Sequence, residues 1–275
     1  MKVHISVDME GIACVTNVDD VRLEGPYYEK ARHWMTAEAN AAIEGAFECG
    51  ATEVVVADSH GSMRNLIPDE LHEDVYIVRG SPRPLTMMEG IDETFDAAIF
   101  VGYHSMAGNH IGNLSHTYLG SQVISIKIND VLVGEPGLNA AIAGHFGVPV
   151  ILACGDDTVE KEIKEICPWA KNVTTKWAYS TFSSKNLTPK ASQKKIKEST
   201  KEALDNLKDM KPFYVGNPVK MELVLFKAMA ANLAADIPGV TQKDGRTLEF
   251  IGKDMIEVVR IFRVICNTIL GDFFV

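Results

Sequence analysis

The chain has 275 residues, of which 46% are hydrophobic and 23% are charged, which is typical of a soluble globular protein with a sizeable core. Its formal net charge of -10, from 37 acidic and 27 basic residues, opposes binding to nucleic acid. No apolar run approaches the roughly 18 residues of a membrane helix, and Asp8 and Glu10 interrupt the apolar start where a signal peptide needs an unbroken run, so we expect a cytoplasmic protein without a membrane partner.

Strands and helices alternate through the first 170 residues. Continuous apolar runs, typical of strands buried on both faces, predict strands at Lys2–Val7, Glu53–Ala57, Val75–Val78, Ala97–Val101 and Val148–Cys154. Apolar residues at helical spacing predict helices at Tyr27–Cys49, Pro136–His145 and Asp157–Ile166. Between these elements, Ser121–Ile128 and Val131–Gly134 flank Asn129-Asp130 and predict a hairpin with a two-residue turn.

A smaller unit is predicted after residue 170. Its predicted elements are a strand at Val173–Tyr179, a helix at Pro189–Asp209, a connector at Pro212–Pro218, strands at Val219–Phe226 and Arg246–Ile251, and helices at Lys227–Ala235 and Asp254–Leu270. We therefore predict a three-layer α/β fold with a mostly parallel sheet and a smaller C-terminal α/β unit. The predicted domains are a metal-binding catalytic domain at 1–170 and a unit at 171–275, packed separately or as one continuous globule.

Short polar phrases follow three of the predicted strands. Asp8–Glu10 comes after the first strand, Asp58–His60 after the second and Gly102–His104 after the fourth, and Glu135 directly follows the hairpin. Parallel sheets collect ligands in the crevice beyond the carboxyl ends of their strands. We therefore predict a metal site at this edge of the sheet, formed by side chains that are far apart in the sequence.

The number of acidic ligands indicates more than one ion. Asp8, Glu10 and Glu135 would repel one another in a single crevice unless cations neutralised them. Two divalent ions achieve this, and His60 and His104 complete a mixed nitrogen and oxygen shell that suits zinc or a similar divalent ion. Asp8, at the end of the predicted central strand, is the natural bridge between the two ions.

Four acidic residues at strand ends also have structural interpretations. An isolated Asp8 would more often cap a turn or a helix than bind a metal. Asp58 is interpreted as a support for His60 rather than as a direct ligand. Asp156 and Asp157 follow a strand as well, and an N-cap for the next helix is the favoured interpretation.

The glycine-rich loop at 102–120 is long for a connection between a strand and a helix, as active-site loops often are. It contains His110 and His116. Near the metals, His116 could carry a proton to a leaving amine or stabilise an oxyanion. Spacing alone leaves that role open.

Together these phrases resemble the zinc-dependent D-aminopeptidases of peptidase family M55. The resemblance rests on Ser6–Gly11, Asp58–His60, Gly102–His104, Ser115-His116 and the segment at 133–140, in this order along the chain. It implies two zinc ions, with Asp8 as the bridge, Glu10 and His60 on one ion, and His104 and Glu135 on the other. It also implies that His116 is the catalytic histidine.

The same resemblance implies an activity and an assembly. The expected enzyme removes N-terminal D-amino acids such as D-Ala from short peptides, and its subunits form a homodecamer of two stacked pentamers. Relatives commonly carry a Ser-Arg pair where this chain has Ser180-Thr181, so the absent arginine leaves the peptide preference open.

The leading hypothesis is an aminopeptidase in which a zinc-bound hydroxide attacks the first peptide carbonyl. The alternatives are a dinuclear-metal hydrolase of another small amide or a phosphate ester, and a non-catalytic peptide-binding protein with structural metals. Structural zinc sites normally have four protein ligands, whereas five ligands shared by two ions leave open positions. Catalysis is therefore favoured.

Overall fold

A computed structural model describes the backbone of residues 1–269 and the side chains of residues 1–267. The strands are β1 (Lys2–Val7), β2 (Glu53–Asp58), β3 (Tyr76–Val78), β4 (Ala97–Tyr103), β5 (Val123–Ile128), β6 (Val131–Val133), β7 (Val150–Asp156), β8 (Lys171–Ser180), β9 (Ser183–Asn186), β10 (Val219–Leu225), β11 (Val240–Gln242) and β12 (Thr247–Gly252). The helices are α1 (Val18–Val21), α2 (Tyr28–Glu48), α3 (Glu135–His145), α4 (Asp157–Ile166), α5 (Pro189–Asp205), α6 (Ala228–Ala234) and α7 (Met255–Val264), which continues as a π-helical segment at Ile265–Ile269.

A seven-stranded sheet carries the strands that the site depends on. Its order is β3-β2-β1-β4-β7-β8-β9, and every pair is parallel except β8 with β9. Strands β2 and β3 lie on one side of β1, and β4, the next strand of this sheet along the chain, lies on the other side. The gap between the ends of β1 and β4 is therefore the switch point at which open α/β sheets bind their ligands.

The two faces of this sheet are covered differently. Helices α2 and α5 pack on one face, where Ile5, Val7 and Val101 belong to the core. Helices α3 and α4 and the second sheet lie on the other side, where Phe100 and Tyr103 contribute. The predicted three-layer α/β fold is confirmed, because the apolar runs of the central strands are buried on both faces.

A second sheet, of five antiparallel strands, has the order β11-β12-β10-β5-β6. Its β5–β6 hairpin has positive φ at both Asn129 and Asp130, which confirms the predicted two-residue turn. Its strands come from both sides of residue 170, as do those of the first sheet. The division into domains at that residue stays a prediction.

Three elements were absent from the sequence prediction: α1, β9 and β11. All are short, and β9 is a polar edge strand without an apolar pattern. Helix α5 ends at Asp205, earlier than predicted, and a 3₁₀ turn follows at Leu207–Asp209. The predicted end of the last helix, Leu270, lies outside the described residues. None of the helices described at residues 1–269 has the length and apolar character needed to cross a bilayer.

Candidate metal centre

The loop after β1 is held tightly against the end of β4. The Asp8 amide donates to the Val101 carbonyl at 2.8 Å, and the Gly11 amide donates to the Gly102 carbonyl at 2.7 Å. Gly102 has a φ of +73°, and a side chain there would collide with the Asp8 carbonyl. Only glycine permits this close approach. The loop that carries Asp8 is therefore held beside the end of β4, next to His104.

Asp8 lies between two groups of donor atoms. Its Oδ1 is 3.4 Å from Nδ1 of His60, which is itself 2.9 Å from Oε2 of Glu10. Its Oδ2 is 3.4 Å from Nε2 of His104, which is 3.4 Å from Oε1 of Glu135. The structure therefore brings the five predicted ligands together, with Asp8 shared by both groups.

His116 adjoins the second group. Its ring stacks on His104, with 4.1 Å between the ring centroids and 11° between the planes, and its Nε2 is 3.6 Å from Oε1 of Glu135. The His116 side chain is 25% exposed, whereas that of His104 is 1% exposed. The two imidazoles are thus neighbours, but only His116 has access to solvent.

Each of the three imidazoles uses its outer nitrogen, the one that faces away from the carboxylates, to donate to a backbone carbonyl. The pairs are His60 Nε2 with Val21 at 2.8 Å, His104 Nδ1 with Ser105 at 2.9 Å, and His116 Nδ1 with Leu114 at 2.9 Å. A carbonyl only accepts, so the outer nitrogen must carry a proton. The inner nitrogen is then free to bind a metal ion, an arrangement common among metal-binding histidines.

The buried carboxylates stabilise positive charge between them. Burial lowers the pKa of the His60 imidazole, but Glu10 and Asp8 outweigh that effect and hold the pKa well above its ordinary value. Glu135 and Asp8 do the same for the pKa of His104. Burial and the nearby Glu10 carboxylate raise the pKa of Asp8. A proton or a metal ion can supply the positive charge that this crowding requires.

The donor set fits a divalent cation. Oδ2 of Asp8 and Nε2 of His104 are buried and have no hydrogen-bond partner among the described residues. Zinc ligands lie about 2.0–2.2 Å from the ion, which separates neighbouring ligands of a tetrahedron by about 3.4 Å. The 3.4 Å distance between these two atoms matches that spacing, and the mixture of carboxylate and imidazole suits zinc.

Two aspartates support the loops, as the sequence predicted. Asp58 accepts from the amides of Asn65 and Leu66 at 2.5 and 2.7 Å, and Nδ2 of Asn65 donates to the His60 carbonyl at 2.6 Å. Asp58 therefore shapes the loop that carries His60. Asp156 accepts from the amides at residues 158 and 159 as the N-cap of α4.

Lys176, on β8, is a buried support that the sequence did not reveal. It is fully buried, and its Nζ donates to the backbone carbonyls of Glu10 and Val15. Buried Glu38, on α2, accepts from the Ala13 amide at 3.1 Å. Burial lowers the pKa of Lys176 to about 8 and raises that of Glu38 to about 7. A lysine in a strand would normally be read as solvent-facing, so no local signal marked it.

A cavity of about 190 Å³ opens beside these groups. We call the cluster of Asp8, Glu10, His60, His104, His116 and Glu135 the acidic end. We call the part of the cavity lining formed by Phe262, Arg263, Cys266 and Asn267 the helical wall. Arg83 and Tyr118 also line the cavity, and Tyr118 donates its amide to Oε1 of Glu135 at 2.6 Å.

Sequence reasoning missed the arginines of the cavity. Arg83 lies between two prolines, and Arg263 occupies a helix whose charged residues would be expected to face solvent. Thr181, where the family resemblance leads us to expect arginine, does not line the cavity. It is exposed, and its carbonyl accepts from Leu114 and Asn113, each at 2.9 Å.

Comparison with known proteins agrees with the motifs. The family model described as D-aminopeptidase, Peptidase M55, matches residues 1–264. A D-aminopeptidase of Bacillus subtilis (strain 168) is 37% identical over 275 residues, covering all of both chains. Among solved structures, the Zn-dependent D-aminopeptidase DppA from Bacillus subtilis, described as a self-compartmentalizing protease, matches with a TM-score of 0.96 and 36% identity over the whole of both chains.

Proposed function

Because the chain belongs to the D-aminopeptidase family, peptidase family M55, we propose that it removes the N-terminal D-amino acid from short peptides at a centre of two zinc ions. The observation that carries this proposal is the position of Asp8, whose two oxygens face separate groups of donors at 3.4 Å. A carboxylate in that position can serve two cations at once, which is the arrangement of dinuclear hydrolases.

The proposed ligands are those expected from the sequence. Glu10 and His60 would hold one ion, His104 and Glu135 would hold the other, and Asp8 would contribute to both. Zinc in such a site would act as a Lewis acid, lowering the pKa of water and polarising a carbonyl oxygen. The zinc-dependent relative supports this metal, and the buried, unpartnered oxygen of Asp8 supports a cation at the shared position.

His116 is the proposed catalytic residue, because its ring is fixed, it lines the cavity, and at 25% exposure it is the most accessible of the three imidazoles, against 13% for His60 and 1% for His104. Its Nδ1 proton is committed to the Leu114 carbonyl at 2.9 Å, so Nε2 is the atom that exchanges protons. Nε2 takes a proton from the attacking water and passes it to the leaving amine. Glu135, at 3.6 Å from Nε2, stabilises the imidazolium between these two transfers.

The size of the cavity favours a short substrate. Pockets for drug-sized ligands measure about 300–1,000 Å³, and the cavity here measures about 190 Å³. We propose dipeptides such as D-Ala-D-Ala as substrates. The free amine would lie at the acidic end, where a zinc ion or a carboxylate would hold it.

We further propose that ten subunits assemble as two stacked pentamers, since the related structure is described as self-compartmentalizing. Exposed apolar side chains are available for contacts between subunits, among them Tyr179, Phe182 and Tyr214. Light scattering tests the assembly directly. A monomer at working concentration would contradict it.

The activity is tested by measuring metal content together with the release of alanine from D-Ala-D-Ala and L-Ala-L-Ala. We expect about two zinc ions per subunit, preferential release of D-alanine, and loss of activity with a chelator that added zinc restores. Turnover of aryl phosphates but not of peptides would contradict the proposal.

A further inference from the structure

Arg263 is a cationic group in the cavity lining that no other described residue neutralises. It belongs to α7, is half-buried and forms part of the helical wall. Its Nε is buried without a hydrogen-bond partner, and its guanidinium takes part in no ion pair among the side chains described at residues 1–267. No nitrogen of this guanidinium has an acceptor among the described residues, and a buried donor without a partner is costly, so the arrangement indicates a ligand that supplies an acceptor.

Arg83 shows what a structural arginine looks like in the same cavity. Its Nε is also buried without a hydrogen-bond partner, but its Nη2 donates to the Asp58 carbonyl at 2.6 Å and its Nη1 donates to the Val78 carbonyl at 3.2 Å. These two bonds tie the segment after β3 to the end of β2. Arg83 is therefore committed to the fold, whereas the guanidinium of Arg263 remains available to a ligand.

We propose that Arg263 binds the free C-terminal carboxylate of a dipeptide substrate. A guanidinium offers donors in a planar fork that matches a carboxylate, and such charge-assisted bonds are among the strongest between polar groups. The inference rests on the proposed function, because it assumes that the amine of the peptide lies at the acidic end. The amine of a dipeptide then lies at the acidic end and its carboxylate lies against Arg263, at two parts of the same cavity.

The proposal explains how a small cavity can select its substrate. A cavity of about 190 Å³ has room for few side-chain contacts, so the charged ends of the peptide carry most of the recognition. A site built to bond a polar group strongly rejects analogues that lack it. Arg263 is thus a specificity-determining residue, and it selects free dipeptides over amidated ones.

The experiment compares D-Ala-D-Ala with D-Ala-D-Ala amide on the zinc-loaded protein. In the wild type we expect kcat/KM to be about 10- to 100-fold higher for the free acid, the factor given by a charge-assisted hydrogen bond. Arg263→Met should lower kcat/KM for the acid by about that factor, mainly through KM, and leave the amide unchanged. Arg263→Lys, which keeps the charge but loses the fork, should retain part of the preference.

Arg260→Met is the matched control, because Arg260 lies on the same helix, is exposed and does not line the cavity. It should leave kcat/KM unchanged for both substrates.

Two results in a folded Arg263→Met variant with normal zinc content overturn the inference. One is an equal loss of kcat/KM on the acid and the amide, and the other is an unchanged preference for the acid. If that variant does not fold, Arg263→Lys decides, since an intermediate preference supports the inference and a wild-type preference overturns it. A wild-type protein that cleaves neither dipeptide overturns the proposed function and the inference with it.

Discussion

The acidic end and the helical wall border the same cavity but are built in different ways. The acidic end is assembled from loops at the carboxyl ends of β1, β2 and β4 and the first turn of α3, each fixed by backbone hydrogen bonds. The helical wall consists of side chains from α7 and from the segment that follows it. These residues come after the last strand of the second sheet along the chain. The proposed chemistry therefore lies at the strand ends of the first sheet, and the proposed substrate selection lies on a helix that packs against the second sheet.

Removing a ligand tests the acidic end most severely. Glu10→Gln keeps the shape of the side chain but removes its charge, so we expect metal affinity to fall by more than about 100-fold, beyond the effect of losing an outer support. Activity should fall to that of the chelated enzyme. Metal analysis and turnover check this, with the exposed Glu24→Gln as the control. Normal zinc content in Glu10→Gln would contradict the ligand set.

Removing His116 separates catalysis from metal binding within the acidic end. His116→Ala should lower kcat by about 100- to 10,000-fold, the usual contribution of a general acid or base, with zinc content unchanged. His110→Ala is the control, since His110 is exposed in the same loop. Loss of one zinc ion together with activity would instead make His116 a ligand.

Replacing Lys176 tests whether the acidic end depends on the hydrogen bonds that hold the loop after β1 in place. Lys176→Met leaves the buried carbonyls of Glu10 and Val15 without their donor, which should lower the free energy of unfolding by about 2–6 kcal/mol and weaken zinc binding by about 10- to 100-fold. Denaturant unfolding and zinc titration measure the two effects. Lys190→Met, at an exposed position on α5, is the control. Wild-type zinc affinity in Lys176→Met would show that the loop holds its shape unaided.

Replacing Glu38 gives the smallest expected effect, which is a change in how the free energy of unfolding depends on pH. Burial raises its pKa from 4.5 to about 7, so its protonated form stabilises the fold below pH 4.5 and this contribution is lost as the pH rises through 7. The loss is about 3 kcal/mol. Glu38→Gln should remove this slope between pH 4.5 and 7 in chemical unfolding. Parallel curves for wild type and variant would refute the buried, protonated carboxyl.

The acidic end and the helical wall also differ in how far the sequence predicts them. The acidic end was predictable because its residues follow apolar runs, and parallel strands bring their carboxyl ends to one edge. Nothing local marks Arg263, whose position depends on how α7 packs against the second sheet. The same holds for Lys176, whose Nζ is met by the carbonyls of the loop after β1 where that loop packs on β8. Short polar strands such as β9 carry no apolar period to detect.

Because the outer nitrogen of each imidazole is bonded to a backbone carbonyl, a proton and a metal ion must compete for the same inner nitrogen. Loading the centre should therefore expel protons into the medium, and the apparent affinity for zinc should rise with pH. In the proposed centre, an acid shift would therefore weaken zinc binding and lower activity.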